Sequence, residues 1–442
     1  MAVNAALLPF QTAFDPPQQA EGSLDPLGLY SIADALGVRL APGVRERQSK
    51  PRYLTLALVG FAICQGMDET PSSRRLPAWL VYEWLVVMAL VKQLQGTSQL
   101  QGIPGREKVR ECLEHGDAVC ASNYLKTPSV FGFHGIYRVF GVKSGLFDQD
   151  SHPLEPGRRV LQAWQQDRGL SAFFEADGEV GHFRRVIQRA VQAGRESGQM
   201  AAPGSPLSAW IATHLNPHQI GAAEREALWS ALTHTDALRG EYAMLLSSPE
   251  GQRQWHAADG SEAAYHASLS DRASLSMQQL LRTIRAFERL ARLLVDAFDE
   301  ARWRMGNEIR AVDMAWLAQG ACMQRAVKDA PMAFKDALAS LGEVDPVARL
   351  RLENGFGGLC EPQGTTAFAA QLLAHHERVQ RGKPPNGKRP WFDTFGDGRV
   401  AVRPAYVPDV FVEREGHYVH AYRTRPIWDF ARDLGRVAGE TA

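Results

Sequence analysis

The clearest hydrophobic pattern in the chain lies between Ser276 and Met305. Apolar residues recur there at intervals of three and four, the spacing that places side chains on one face of a helix. These residues are Leu280, Leu281, Ile284, Phe287, Leu290, Leu293, Leu294 and Phe298. The pattern predicts one long amphipathic helix. Its apolar face has two interpretations: packing inside a helical bundle, or a surface for a helix of a partner protein.

Two apolar runs nearer the start, 52–65 and 76–94, also predict helices, because both are long enough and are bounded by Pro or Gly. The most apolar stretch, Leu76 to Val91, is only about 16 residues long and carries Glu83, whereas a membrane span needs about 20 apolar residues. It therefore predicts a buried core helix. Asp25 before Pro26 is typical of a helix N-cap with proline at the first helical position. Residues 1–101 are expected to form an N-terminal helical unit.

Short helices and turns alternate through residues 102–170. A helix at 106–114, a compact segment at 130–140 and a closing helix at 156–166 favour a winged-helix domain, with residues 147–155 as the wing. The glycines in VFGFHGIYRVFG count against this interpretation, because glycine weakens a helix.

The remainder divides into a predicted helical bundle, 171–353, and a C-terminal segment, 354–442, of mixed α+β character with a basic loop. Loop compositions break the pattern at 354–364, where the C-terminal segment begins, and again at 381–390. Alternation between Arg399 and Tyr422 predicts two or three short strands with a turn at Glu415 and Gly416, and a last helix is expected over 427–437. The predicted fold class is thus a mainly α, multi-domain protein.

Composition narrows the class of protein without naming a function. The 442 residues are 45% apolar and 22% charged, as in folded soluble proteins. Lys plus Arg and Asp plus Glu both number 49, so no overall field attracts nucleic acid or an anionic membrane. The five cysteines contain no CxxC pair. Without a basic, apolar leader at the start, a cytoplasmic location is expected.

Local spacing offers no convincing catalytic or metal centre. Neighbouring histidines, His375 with His376 and His417 with His420, point in different directions on a regular element. Asn216 and Pro217 interrupt any helix between His214 and His218. The segment GKPPNGKR has the spacing of a phosphate loop, but Arg389 stands where magnesium binding requires Ser or Thr. We therefore predict no catalytic residue, no metal and no cofactor.

One acidic pair keeps an enzymatic alternative open. Asp409 and Glu413, on a suspected strand, are similar to the acids of metal-dependent nucleases. Glu415 occupies the position at which such nucleases carry lysine. A divergent metal-dependent nuclease is therefore the alternative hypothesis, and a purely structural scaffold is another.

Two groups of basic residues are the candidate nucleic-acid contacts, because lysine and arginine neutralise backbone phosphates. In the winged-helix segment they are Lys126, Arg138, Lys143, Arg158 and Arg159. In the basic loop they are Arg378, Arg381, Lys383, Lys388 and Arg389, followed by Trp391 as a face on which a base could stack. The winged-helix group could equally contact a protein, and the alternative interpretation of the basic loop is an exposed, solvated linker ahead of a strand.

Residues 24–170 resemble uncharacterised proteins of prokaryotic anti-phage defence islands. The similar motifs are Pro42-Gly43, Arg52-Tyr53, Gly102 to Gly105 and Phe131 to Arg138. This resemblance implies a bacterial or archaeal multi-protein defence complex with co-encoded partners of the helicase or nuclease type, and it implies no catalytic residue. The sequence thus predicts a non-catalytic subunit that binds DNA, partner proteins or both, without membrane association.

Overall fold

The computed structural model describes residues 25–67, 76–175, 178–384, 386–414 and 416–438. They fall into two compact units, each built from separate stretches of the chain. Unit 1 comprises residues 1–39 and 254–422, and unit 2 comprises residues 40–253 and 423–442. The four consecutive segments expected from the sequence do not coincide with these units, because each unit takes residues from both ends of the chain.

Helices dominate the described residues, which confirms the predicted mainly α class. In chain order they are α1 (Tyr30–Leu40), α2 (Arg52–Cys64), α3 (Ala78–Leu94), α4 (Arg106–His115), α5 (Pro128–Phe131), α6 (Phe133–Lys143), α7 (Glu155–Arg168), α8 (His182–Ser197), α9 (Ser205–His214), α10 (Ala222–Thr233), α11 (Ala237–Ser247), α12 (Pro249–Ala257), α13 (Glu262–Ser268), α14 (Leu275–Gly306), α15 (Met314–Leu317), α16 (Ala321–Val344), α17 (Pro346–Phe356), α18 (Thr365–Arg381) and α19 (Thr424–Asp433). None of the helices in the described ranges is long and apolar enough to cross a membrane.

Unit 1 is organised around the pair α14 and α16. Ala326, Ala330, Ala333 and Ala337 of α16 are all fully buried. Their spacing of four, three and four residues forms a stripe of small side chains that lets the two helices lie close together. Seven of the eight stripe residues of α14 are buried as well, and the exception is Leu293. The apolar face is thus internal packing, and no surface for a partner helix remains there.

Unit 2 is built around α2 and α3, both of which the sequence predicts within one or two residues. The side chains of both helices are buried almost all round. Two charged residues are enclosed with them, Arg52 and Glu83, neither of which has any exposed surface. Because a buried charge requires a partner, their neighbours determine how these helices are held.

The predicted winged-helix segment contains α4, α5, α6 and α7. Its strand β1 (Val119–Cys120) pairs antiparallel with β2 (Gln199–Met200), which lies outside the segment. At the expected wing a single bridge joins Phe147 to Pro153. The winged-helix assignment stays a prediction.

The C-terminal strands are fewer than the alternation predicts. Strand β3 (Phe392–Thr394) pairs with β4 (Val400–Val402), and among the described residues 404–420 there is no further strand. Arginine side chains of α14 instead donate hydrogen bonds to the backbone of this segment. Arg302 donates to the carbonyl oxygen of Tyr406, and Arg292 donates to the carbonyl oxygens of His417 and Tyr418. The predicted turn residue Glu415 lies outside the described residues.

The start of the first helix also differs from the prediction. Asp25 accepts hydrogen bonds from the backbone N–H groups of Gly28, Leu29 and Tyr30. The carboxylate therefore stabilises the turn that precedes α1, and the helix begins at Tyr30 instead of at Pro26.

Candidate anion-binding cleft

The basic residues predicted in the winged-helix segment have different surroundings. Lys126 and Lys143 are exposed. Arg158 and Arg159 are also exposed, and both contact Glu155, at 3.6 and 3.1 Å. Their charge is therefore partly neutralised on the same helix. Arg138 is half-buried and donates to the carbonyl oxygen of Gln149 at 2.8 Å.

The basic loop of unit 1 is also partly neutralised. Arg381 pairs with Glu377, and Arg389 lies 3.7 Å from Asp393. Lys383 is half-buried and donates to the carbonyl oxygen of Asp25. Burial lowers the pKa of Lys383. The structure places Arg378 beside His375, whose Nδ1 lies 3.1 Å from Nη2 of Arg378, and leaves Lys388 half-buried.

Trp391 does not offer the stacking face that the sequence suggests. It is 7% exposed, and its ring lies parallel to that of Tyr406 with 4.9 Å between the centroids. The guanidinium of Arg302 lies 4.6 Å from the centroid of the indole. Since both contacts are internal to unit 1, Trp391 belongs to the core, which corrects its predicted role in base stacking.

The paired histidines of α18 have structural roles. His376 Nδ1 lies 2.9 Å from the carbonyl oxygen of Pro26, and its Nε2 accepts the backbone N–H of Trp391 at 3.1 Å. His375 Nε2 lies 2.8 Å from the carbonyl oxygen of Leu27. Burial lowers the pKa of His376 to about 3, so the ring is neutral, and both histidines join the start of the chain to α18.

The acidic pair of the nuclease hypothesis is not assembled into a site. Asp409 is exposed and lies outside any strand, because the backbone of this segment is irregular. Glu413 forms an ion pair with Arg325. Within the described ranges, the group of three acidic or histidine side chains that could hold a metal ion lies elsewhere, at Asp148, Asp150 and His152.

A cleft that the sequence reasoning missed lies on the polar side of the α14 and α16 pair, within unit 1. Its volume is about 450 Å³. Three arginines of α14 and one of α16 line it, namely Arg285, Arg289, Arg292 and Arg325. Glu288, Asp296 and Asp329 are the acidic residues of the lining, and Leu293 supplies an apolar side chain. These residues together form the arginine cleft.

The four arginines differ in how their charge is used. Arg292 donates to Asp296 at 2.9 Å and also holds the 417–418 backbone. Arg325 is paired with Glu413, and Arg289 lies 3.9 Å from Asp336 on an exposed surface. Arg285 is half-buried and has neither an ion pair nor a hydrogen bond to any described residue. Its guanidinium is therefore the group in the cleft that is available to an external anion.

Glu288 lines the same cleft but makes no ion pair or hydrogen bond with Arg285, since its own hydrogen bonds are made with other described residues. The carboxylate is buried and accepts from the Tyr422 hydroxyl at 2.7 Å and from the backbone N–H of Val419, and its Oε1 lies 2.7 Å from His420 Nδ1. These bonds fix the segment that carries Tyr418 over the cleft.

Tyr418 adds a second group without a partner. Its hydroxyl oxygen is buried and makes no hydrogen bond within the described residues. Burial raises the pKa of Tyr418, so the hydroxyl remains protonated. Because that oxygen is buried, the donor that the cleft offers to phosphate or carboxylate oxygens is the guanidinium of Arg285.

Part of the arginine cleft could have been predicted from the sequence. Arg285, Arg289 and Arg292 have the spacing of one helix face, opposite the leucine stripe. Arg325 lies on the next long helix, and Tyr418 lies on an irregular segment close to the end of the chain, so no local pattern joins them.

Comparison with known proteins gives no relative with which the arginine cleft can be compared. The chain matches no protein-family model, no curated protein and no solved structure.

Proposed function

We propose that this protein is a cytoplasmic, non-catalytic DNA-binding subunit of a prokaryotic anti-phage defence complex, and that the arginine cleft holds backbone phosphates of a single strand. The observation that carries the DNA-binding part is Arg285, a half-buried guanidinium without a partner among the described residues, in a cleft with three further arginines. The assignment to a defence complex rests on the resemblance of residues 24–170.

The chemistry of the cleft favours phosphate over an uncharged ligand. Guanidinium presents parallel N–H donors that match two phosphate oxygens, and a hydrogen bond to a charged group contributes about 1.5–3 kcal/mol. A volume of about 450 Å³ lies in the range of small-ligand sites and is too small for a duplex. The cleft therefore fits a short stretch of one strand.

The alternatives have weaker support. A nuclease would need Asp409 and Glu413 beside each other with free carboxylates, whereas Glu413 is engaged by Arg325. A pure scaffold does not explain why the Arg285 side chain is half-buried without an ion pair or hydrogen bond to any residue in the described ranges. Co-encoded partners of the helicase or nuclease type are proposed from the resemblance, and co-purification of the native protein would identify them.

Reversing the charge at Arg285 should weaken DNA binding. We expect Arg285→Glu to raise the dissociation constant for a labelled single-stranded oligonucleotide about tenfold or more, since each tenfold corresponds to about 1.4 kcal/mol. The slope of log K against log salt should become shallower by about 0.7 for each phosphate that the protein no longer neutralises. Fluorescence anisotropy over a salt series measures both, and Arg285→Gln removes the charge without reversing it.

Arg351→Glu is the matched control, because Arg351 is exposed on α17 of the same unit and lies outside the cleft. Equally weakened binding in Arg285→Glu and Arg351→Glu would mean that only overall charge matters. Unchanged binding in both Arg285 variants would discard the cleft. Competition by inorganic phosphate as effective as that by the oligonucleotide would indicate a small-anion site instead.

A further inference from the structure

A second cavity, within unit 2, joins an aromatic floor to a charged rim. Its volume is about 440 Å³. Phe61, Trp79 and His134 contribute the aromatic rings, while Asp150 and His152 lie at the rim. No candidate site predicted from the sequence includes this combination.

His134 is a polar side chain buried without a partner. It is 5% exposed, and neither ring nitrogen makes a hydrogen bond within the described residues. Its ring is stacked on Trp79 at 4.2 Å and meets the edge of Phe61 at 5.5 Å. A buried polar atom without a hydrogen bond is unfavourable, and such groups in folded proteins are commonly explained by a bound ion, water or ligand.

Three possible metal ligands alternate along the turn beside the cavity, Asp148, Asp150 and His152. One ligand atom from each lies within 4.8 Å of the other two. The turn is held in shape by Asp148 Oδ1, which accepts the backbone N–H groups of Asp150 at 2.9 Å and of His152 at 2.8 Å. The bridge between Phe147 and Pro153 closes its base. The three side chains are therefore already brought together before any ion binds.

The cluster adjoins the cavity through two of its three side chains. Asp148 Oδ2 lies 3.3 Å from His152 Nδ1. The Asp150 carboxylate makes no ion pair within the described residues, and both Asp150 and His152 line the cavity. An ion bound by the three side chains would lie at the mouth of the cavity that contains His134.

We propose that Asp148, Asp150 and His152 bind a divalent transition-metal ion, and that a small ligand of that ion occupies the adjoining cavity. One imidazole nitrogen with two carboxylate oxygens suits Zn²⁺ or a related cation, whereas Mg²⁺ and Ca²⁺ prefer oxygen ligands alone. Three protein ligands leave a coordination position for an external group. This site is independent of the arginine cleft, which belongs to the other unit.

Titration calorimetry of the dialysed full-length protein with ZnCl₂ tests the site. We expect the wild type to bind one zinc ion more than His152→Ala binds. Millimolar Mg²⁺ should not displace this zinc ion. Asp148→Asn should weaken binding about tenfold or more, while its side-chain oxygen still accepts the two N–H groups that shape the turn. Circular dichroism checks that both variants are folded.

His115→Ala is the control, since His115 is an exposed histidine of the same unit outside the cluster. Cobalt substitution adds a second readout, because thiolate ligation by the free cysteines produces a charge-transfer band that oxygen and nitrogen ligands lack. Equal zinc stoichiometry and affinity in the wild type and both cluster variants would overturn the proposal. If the cobalt spectrum of the wild type shows a thiolate band and the spectrum of His152→Ala is identical, the ion is bound by cysteine, and the proposal would be overturned too.

Discussion

Replacing Arg52 by methionine is expected to lower the free energy of unfolding by about 3–5 kcal/mol, because it leaves a carboxylate buried without its cation. Arg52 and Glu224 have no exposed side-chain surface, and their Nε and Oε1 atoms are 3.0 Å apart. The same guanidinium donates to the carbonyl oxygens of His214, at 2.9 Å, and Asn216. The substitution therefore removes the partner of one charge and of two carbonyls.

Urea denaturation of the purified variants measures this effect. The double variant Arg52→Met with Glu224→Leu should be more stable than Arg52→Met alone, because the unpaired charge is removed with its partner. Lys108→Met serves as the control, since its contact with Glu111 is exposed and such pairs contribute about 0–1 kcal/mol. A decrease in stability in Arg52→Met no larger than that in Lys108→Met would show that the buried pair does not stabilise unit 2.

Glu83 should make the protein less stable as the pH rises from about 5 to 8. Burial raises the pKa of Glu83 to about 7, although hydrogen bonds from His134 and Tyr124 act in the opposite direction. The ordinary value is 4.5. Between these values the folded state binds more protons than the unfolded state, so unfolding becomes easier as the pH increases. The stabilising contribution of Glu83 is therefore fully present below the ordinary pKa of 4.5 and is lost above the pKa of about 7 in the folded protein.

Glu83→Gln isolates this contribution from the other titrating groups. The amide resembles the protonated acid, since its oxygen can accept the backbone N–H of His134 and its NH₂ can donate to the Tyr124 oxygen. We expect the variant to exceed the wild type by roughly 3 kcal/mol at pH 8 and to approach it near pH 4, from about 1.4 kcal/mol per pKa unit. Urea unfolding at both pH values tests this, with the exposed Glu111→Gln as control. A difference between Glu83→Gln and the wild type that does not change with pH would contradict the assignment.

Helix positions could be predicted well wherever the apolar pattern was long. The stripe of α14 and the apolar runs of α2 and α3 place these helices within one or two residues, because burial of a continuous face depends mainly on spacing along the chain. The same runs identified Glu83 as a charge inside a core helix. They could not indicate whether the stripe of α14 packs against α16 or a separate protein.

Charged and aromatic residues were harder to interpret, since their role depends on what lies beside them. Trp391 follows a basic loop in the sequence, yet it is enclosed by Tyr406 and Arg302. Arg158 and Arg381 looked like free cations, and each lies beside an acid of its own helix. A local pattern counts such charges but does not show which of them are neutralised.

The sequence by itself thus determined the mainly helical class and the long helices, because the periodicity of apolar residues is a local property. Only the tertiary structure decided which stretches share a unit, which arginine of the cleft has no ion pair within the described residues, and which side chains surround His134. Those outcomes depend on residues far apart in the chain, such as Arg285 with Tyr418 or His134 with His152, and packing alone brings them together.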